Sequence, residues 1–232
     1  MDTALRVGLM VPANNTTMEG ELVAWLPQGS SCMTLRIPRG KSTLTLADIP
    51  AYIAQAIALA RSFEGEPIDI VVCGCTAAGI LAGPARDAEI AATLRKTAGR
   101  PVVTTAGAMV DSLRHAGAER VALVTPYQDL VNGQLRSFLR AAGIHVHKLA
   151  TFAAATTEEL ARITSAQVAD LARKTMDDDC DAMFVAGSQL PTYSILGGLA
   201  REFRRPVLSS IQASAWRVRQ ELGLIASAAS NE

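Results

Sequence analysis

The stretch Ile68-Asp69-Ile70-Val71-Val72-Cys73-Gly74-Cys75-Thr76-Ala77-Ala78-Gly79 decides the fold class. Its first part is a nearly continuous β-branched run, the pattern of a strand buried on both faces in a parallel sheet. Its second part is small and hydroxylated, and it ends the strand and opens a helix. The same alternation extends in both directions. Strands are predicted at Arg6–Val11, Met33–Ile37, Ile68–Cys73, Val102–Thr104, Val121–Val124, His145–Leu149, Ala182–Val185 and Val207–Leu208. Helices are predicted at Met18–Trp25, Leu46–Arg61, Pro84–Thr97, Ala106–Ala116, Leu130–Ala142, Glu158–Thr175, Leu190–Arg201 and Ile211–Leu222. Strict strand–helix alternation gives the α/β class, with right-handed crossovers. Gly117 and Gly143 follow two of the helices and suit left-handed C-caps. Thr156 with Glu159 reads as a capping box.

The chain reads as two copies of one plan. Val7-Gly8-Leu9-Met10-Val11-Pro12 parallels Val121-Ala122-Leu123-Val124-Thr125-Pro126, each a strand ending at a proline. Val71-Val72-Cys73-Gly74-Cys75-Thr76 parallels Met183-Phe184-Val185-Ala186-Gly187-Ser188, so Cys75 corresponds to Gly187 and Thr76 to Ser188. Facing halves place both sets of strand ends across a cleft, and ligands of open parallel sheets sit at carboxyl strand ends. The expected division is a first lobe over 1–104, a second over 105–209, and a C-terminal helix over 210–232 packing back on the first.

Composition narrows the function. Of 232 residues, 49% are hydrophobic and 19% charged, which excludes a disordered chain. Lys+Arg 22 balances Asp+Glu 22, so no global field favours nucleic acid or an anionic membrane. No apolar run reaches transmembrane length, and the N-terminus has no secretory pattern, so the expected location is cytoplasmic. There the cysteines Cys32, Cys73, Cys75 and Cys180 are expected as free thiols. They form no CxxC pair, and the three histidines have no visible third ligand, so no metal site is expected. Without a glycine-rich phosphate motif, no nucleotide cofactor is expected either.

Cys75 is the residue with chemistry to offer. At a strand end and helix start it meets unpaired N–H groups and the positive end of the helix dipole, which favours thiolate. The same amides can hold a carboxylate. The plainer reading of any one cysteine is a small buried hydrophobe, and Cys73 and Cys180 are assigned to that role. Pro12-Ala13-Asn14-Asn15-Thr16-Thr17 supplies either helix caps or an amide for a substrate carboxylate. Tyr127, in the equivalent second-half loop, either binds a carboxylate or closes its loop.

Together, Asn14-Asn15-Thr16-Thr17-Met18-Glu19, Cys75-Thr76, Thr125-Pro126-Tyr127, Gln189-Leu190-Pro191-Thr192 and Arg205-Pro206-Val207-Leu208-Ser209-Ser210 resemble the aspartate/glutamate racemase superfamily, in its maleate cis–trans isomerase and arylmalonate decarboxylase branch. The resemblance implies two pseudo-symmetric Rossmann-like lobes, each with a four-stranded parallel sheet, and an active site in the cleft. It implies no cofactor and no metal. It matches Cys75 to the first-lobe catalytic cysteine and Asn14, Thr76, Tyr127, Gly187 and Ser188 to substrate-binding positions.

Where relatives carry a second-lobe cysteine, this chain has Gly187. Two-base racemisation is therefore disfavoured, and two one-thiol reactions remain. In the first, a Cys75 thiolate adds to an unsaturated dicarboxylate, which rotates and is released. In the second, a malonate-type decarboxylation, Cys75 protonates the enediolate with mirror-image stereochemistry. A non-catalytic dicarboxylate-binding protein is the third reading. The expected partner is a small dicarboxylic acid, with a homo-oligomer left open.

Overall fold

The computed structural model describes residues 3–40 and 42–225. The first half runs β1 (Arg6–Pro12), α1 (Met18–Trp25), β2 (Ser31–Ile37), α2 (Ile49–Ala60), β3 (Ile70–Cys73), α3 (Thr76–Ala82), α4 (Pro84–Ala98), β4 (Val102–Thr104) and α5 (Thr105–His115). The second runs β5 (Arg120–Thr125), α6 (Asp129–Ala141), β6 (His145–Thr151), α7 (Thr157–Ala161), α8 (Ser165–Thr175), β7 (Ala182–Val185), α9 (Leu196–Phe203), β8 (Val207–Ser209) and α10 (Ser210–Glu221). The strands form two parallel four-stranded sheets, ordered β2-β1-β3-β4 and β6-β5-β7-β8. The two orders are the same, so the internal likeness read from the sequence is a likeness of topology.

In each sheet the chain leaves the first strand, pairs its second on one side and returns to pair the third on the other. That reversal makes β1/β3 and β5/β7 topological switch points, where helices diverge and open a crevice beyond the strand ends. Buried strands explain the apolar runs. Val7, Leu9, Met10, Val71 and Val72 in one sheet, and Leu123, Val124, Phe184 and Val185 in the other, are all essentially inaccessible. Each such side chain contributes about 1.5–3 kcal/mol by leaving water.

Several helix boundaries differ from the expected ones for local reasons. The segment expected as Leu46–Arg61 begins with a 3₁₀ turn, and Pro50 then sits in the first turn of α2, where its missing N–H costs nothing. Glu158–Thr175 is two helices, because Thr164 caps α8 through Gln167. Leu190–Arg201 becomes helical only at Leu196, since Glu21 holds the Thr192 and Tyr193 amides in a turn. Thr156 does accept from the Glu159 amide, and Gly117 and Gly143 adopt positive φ. α10 packs against α1 and α5 and lies over β3 and β4 of the first sheet. Residues 226–232 of the helix expected over 210–232 lie outside the described residues. No helix among the described residues is long and apolar enough to cross a membrane.

Candidate active site

The loops after β1, β3, β5 and β7 converge on one cavity of about 60 Å³. Asn14, Cys75, Thr76, Tyr127, Gly187 and Ser188 all line it. That size suits an acid of a few carbons, whereas drug-sized ligands occupy about 300–1,000 Å³. A larger cavity of about 720 Å³ lies between α4, α5 and α6, but it holds no thiol and none of these loops. Chemistry, not volume, selects the smaller one.

The two halves are latched around the cavity. Asn15 Nδ2 donates to the Ser188 carbonyl at 3.1 Å, and the Ser188 hydroxyl donates to the Gly74 carbonyl at 2.7 Å. Gln189 accepts from the Thr16 amide at 3.0 Å and donates to the Thr16 hydroxyl at 2.9 Å. These bonds divide the polar loop after β1 by role. Asn15 is the cap, its Oδ1 accepting from the amides of Thr17 and Met18. Asn14 makes no such bonds among the described residues and lines the cavity. Ser188 reaches the cavity wall, but its hydroxyl proton is committed to the latch.

Tyr127 is held by its backbone. Its carbonyl accepts from Asn132 Nδ2 at 2.8 Å and from the Thr151 hydroxyl, while Asn132 Oδ1 accepts from Thr125 at 2.7 Å. The Tyr127 hydroxyl faces Thr76, and burial first, then the neighbouring Cys75, keeps it firmly protonated. It is a fixed donor. The Thr76 hydroxyl is itself buried with no partner at hydrogen-bond geometry among the described residues.

Cys75 is only 5% exposed and caps α3 with extended backbone. The expectation that its helix-start position yields thiolate needs correcting. Burial raises the thiol above its ordinary value and outweighs the Tyr52 hydroxyl, the Ala78 and Ala77 amides and the Arg39 charge, all of which favour thiolate. The amides at the helix start favour thiolate, but desolvation is the larger influence. Burial raises Cys73 as well, and Cys32 to about 12. Cys180 lies buried before β7, outside this cavity.

Two neighbours of the thiol were not foreseen. Tyr52 projects from α2 toward Cys75, and its buried hydroxyl has no partner at hydrogen-bond geometry among the described residues. Arg39, beyond β2, lines the cavity. Tyr52 shares the buried face of α2 with Ile49, Ile53 and Ala56 and reads as core in sequence. Arg39 sits in a segment with no periodicity to mark it.

Gly187 has φ +133°, and a Cβ there would stand 3.1 Å and 3.2 Å from Pro126 ring carbons. Its amide donates to Ser210 Oγ at 2.9 Å. Glycine at this position is thus a backbone requirement of the loop as it stands.

Beside His147 the fold brings two carboxylates, Asp177 and Asp179, with donor atoms within 4.8 Å of one another. Lys148 already pairs with Asp177, and Arg120 Nη2 lies 3.0 Å from His147 Nδ1, so protein cations meet these acceptors. The sequence does not show this grouping because Asp177 and Asp179 lie in the loop before β7, some thirty positions along the chain from His147.

A model of the arylmalonate decarboxylase family matches residues 7–232. The chain belongs to this family. Among its relatives, the maleate isomerase of Nocardia farcinica (strain IFM 10152) is 28% identical over 227 residues, covering 94% of this chain and 90% of the relative. The structure of the maleate isomerase Iso(C200A) from Pseudomonas putida S16 with maleate aligns with TM-score 0.89 at 25% identity, covering 95% of this chain and 93% of that one. A cysteine-to-serine mutant of the Nocardia farcinica maleate cis–trans isomerase, with a covalently bound succinylcysteine intermediate, aligns with TM-score 0.86 at 26% identity over 95% and 94% of the two chains. The relatives of this chain thus include both maleate isomerases and an arylmalonate decarboxylase.

Proposed function

We propose that this chain is a single-cysteine, cofactor-independent enzyme acting on a small dicarboxylic acid, in the manner of a maleate cis–trans isomerase. The observation that carries the reading is the convergence of one thiol, Cys75, with Asn14, Thr76 and Tyr127 in one small cavity at both switch points. The relative that holds succinylcysteine does so with one of its cysteines replaced by serine, which supports covalent addition without a full complement of thiols.

In the proposed reaction the Cys75 thiolate adds to one alkene carbon. The π electrons move onto the neighbouring carboxylate, giving an enediolate held by the Tyr127 and Asn14 donors. The former double bond is now single and rotates. The enediolate electrons re-form the alkene in the trans geometry, and the thiolate leaves. No proton is gained or lost. Neutral donors fixed before charge develops are the kind that contribute about 2.7–4 kcal/mol each.

The raised Cys75 thiol favours a second reading, malonate-type decarboxylation. There, loss of carbon dioxide leaves an enediolate, and the thiol supplies the proton. The readings have opposite pH signatures. Addition needs thiolate, so kcat/KM climbs as pH rises through the thiol pKa. Protonation needs the thiol, so kcat/KM falls over the same range. Cys75→Ser should abolish turnover of maleate while leaving the fold intact by circular dichroism, whereas Cys73→Ser and Cys180→Ser should keep most of it. Undiminished turnover in Cys75→Ser ends the one-thiol mechanism. Absence of turnover by the parent, with dicarboxylate binding retained, would leave a binding protein.

A further inference from the structure

We infer that Arg39 is the specificity-determining anchor for the second carboxylate of the substrate, the one not converted to an enediolate. The inference rests on the dicarboxylate reading above and deepens it. Among the described residues lining the thiol cavity, Arg39 carries the only formal charge at neutral pH. Asn14, Thr76 and Tyr127 offer neutral donors, enough for one carboxylate. A dicarboxylate brings a second negative charge, and an enclosed charge without a counter-charge is costly.

Arg39 is placed to meet it. The side chain lines both the thiol cavity and an adjoining outer chamber of about 300 Å³, which Asn14 and Thr157 also border. It therefore borders both spaces, with Glu158 also on the outer one. One arm of the guanidinium donates to the Ser42 carbonyl at 2.7 Å, which fixes the fork. Nε is buried and has no hydrogen-bond partner among the described residues. A buried donor of a charged group without an acceptor calls for an explanation, and a carboxylate oxygen supplies one, since the guanidinium fork matches carboxylate geometry. Its positive charge also reaches Cys75 and Tyr127, favouring the ionised form of each. A substrate held between Arg39 and the Tyr127 loop would thus have one carboxylate at the mouth and the other over the thiol. A ligand with one carboxylate would use the inner donors alone.

A plainer role for Arg39 is to tie its own loop through Ser42, and the test separates the two. Succinate is a saturated dianion that cannot react, and monomethyl succinate is its monoanion. Calorimetric binding of both is measured for the parent, Arg39→Leu and Arg39→Lys. The expected result is succinate binding about 10- to 100-fold weaker in Arg39→Leu, the scale of a hydrogen bond to a charged group. Binding of the monoester should change less than about threefold, and Arg39→Lys should recover part of the succinate affinity. In the parent, affinity for succinate should fall more steeply with salt than affinity for the monoester, a measurement that needs no variant. Equal losses for both ligands, or parent-like succinate binding by Arg39→Leu, would overturn the assignment. A parent that binds neither ligand overturns the dicarboxylate reading itself, a distinct result.

Discussion

Gly187 offers the sharpest test of the loop geometry opposite Cys75. Its φ of +133° lies where a side chain is strained, at a cost of about 1–3 kcal/mol. A Cβ also meets the Pro126 ring at 3.1 Å and 3.2 Å. The ring is rigid and cannot swing away, and such overpacking costs about 1–3 kcal/mol. Gly187→Ala should therefore lose about 2–6 kcal/mol, roughly 4–24 °C in Tm for a chain of this size. Gly187→Cys should lose at least as much, because its sulfur extends further beside Pro126. A second catalytic thiol cannot simply be installed here. The assay is urea denaturation followed by circular dichroism, comparing midpoints at constant slope. If Gly187→Cys matches the parent, then neither the strain nor the contact exists as described. Such a variant should then be tested for deuterium uptake into both enantiomers of a chiral acid.

Two further substitutions probe buried polar groups. Tyr52→Phe removes a donor that favours the Cys75 thiolate, so the pH profile of Cys75 alkylation should move to higher pH. Stability should hold or rise, since an unpartnered buried hydroxyl disappears; an unmoved profile would detach Tyr52 from the thiol. Asp87, buried beside Thr104, has its carboxyl raised to about 6, chiefly by desolvation. Its folded value exceeds its unfolded one, so its contribution is fully present below about pH 4 and is lost as pH rises to about 6, a change of about 3 kcal/mol. Asp87→Asn should flatten that part of the stability–pH curve, and an unchanged slope measured by urea titration would refute the assignment.

β1, β3, β5 and β7 were legible because parallel strands buried on both faces are written as unbroken apolar runs, whereas β2 and β6 are partly exposed and carry no such run. The common topology of the halves was legible through two short alignments, at Val7/Val121 and Val71/Met183. Six residues of the cavity lining, Asn14, Cys75, Thr76, Tyr127, Gly187 and Ser188, were legible from strand-end position and the family resemblance, and Arg39 was not. What sequence could not supply was long-range. The sign of the Cys75 shift depends on how much protein surrounds the sulfur, and helix position alone does not report that. Tyr52 is hidden in a core-like pattern. The different duties of Asn14 and Asn15 emerge only when Ser188 arrives from the other half. The breaks in the helices expected over 158–175 and 190–201 came from a cap and a cross-half carboxylate, each overriding an apolar periodicity.

The packing of α10 has a consequence for synthesis of the chain. The last helix covers β3 and β4, strands completed by residue 104, and rests on α1 and α5. Chains commonly fold domain by domain as they leave the ribosome, N-terminal part first. Here the part of the first sheet that α10 covers, beside α1 and α5, stays open until residues 210–221 follow. That apolar patch must wait through translation of more than a hundred further residues. The nascent first half is therefore the species a chaperone would meet, and a premature stop before Ser210 would release a chain whose earliest-made sheet is the part left unfinished.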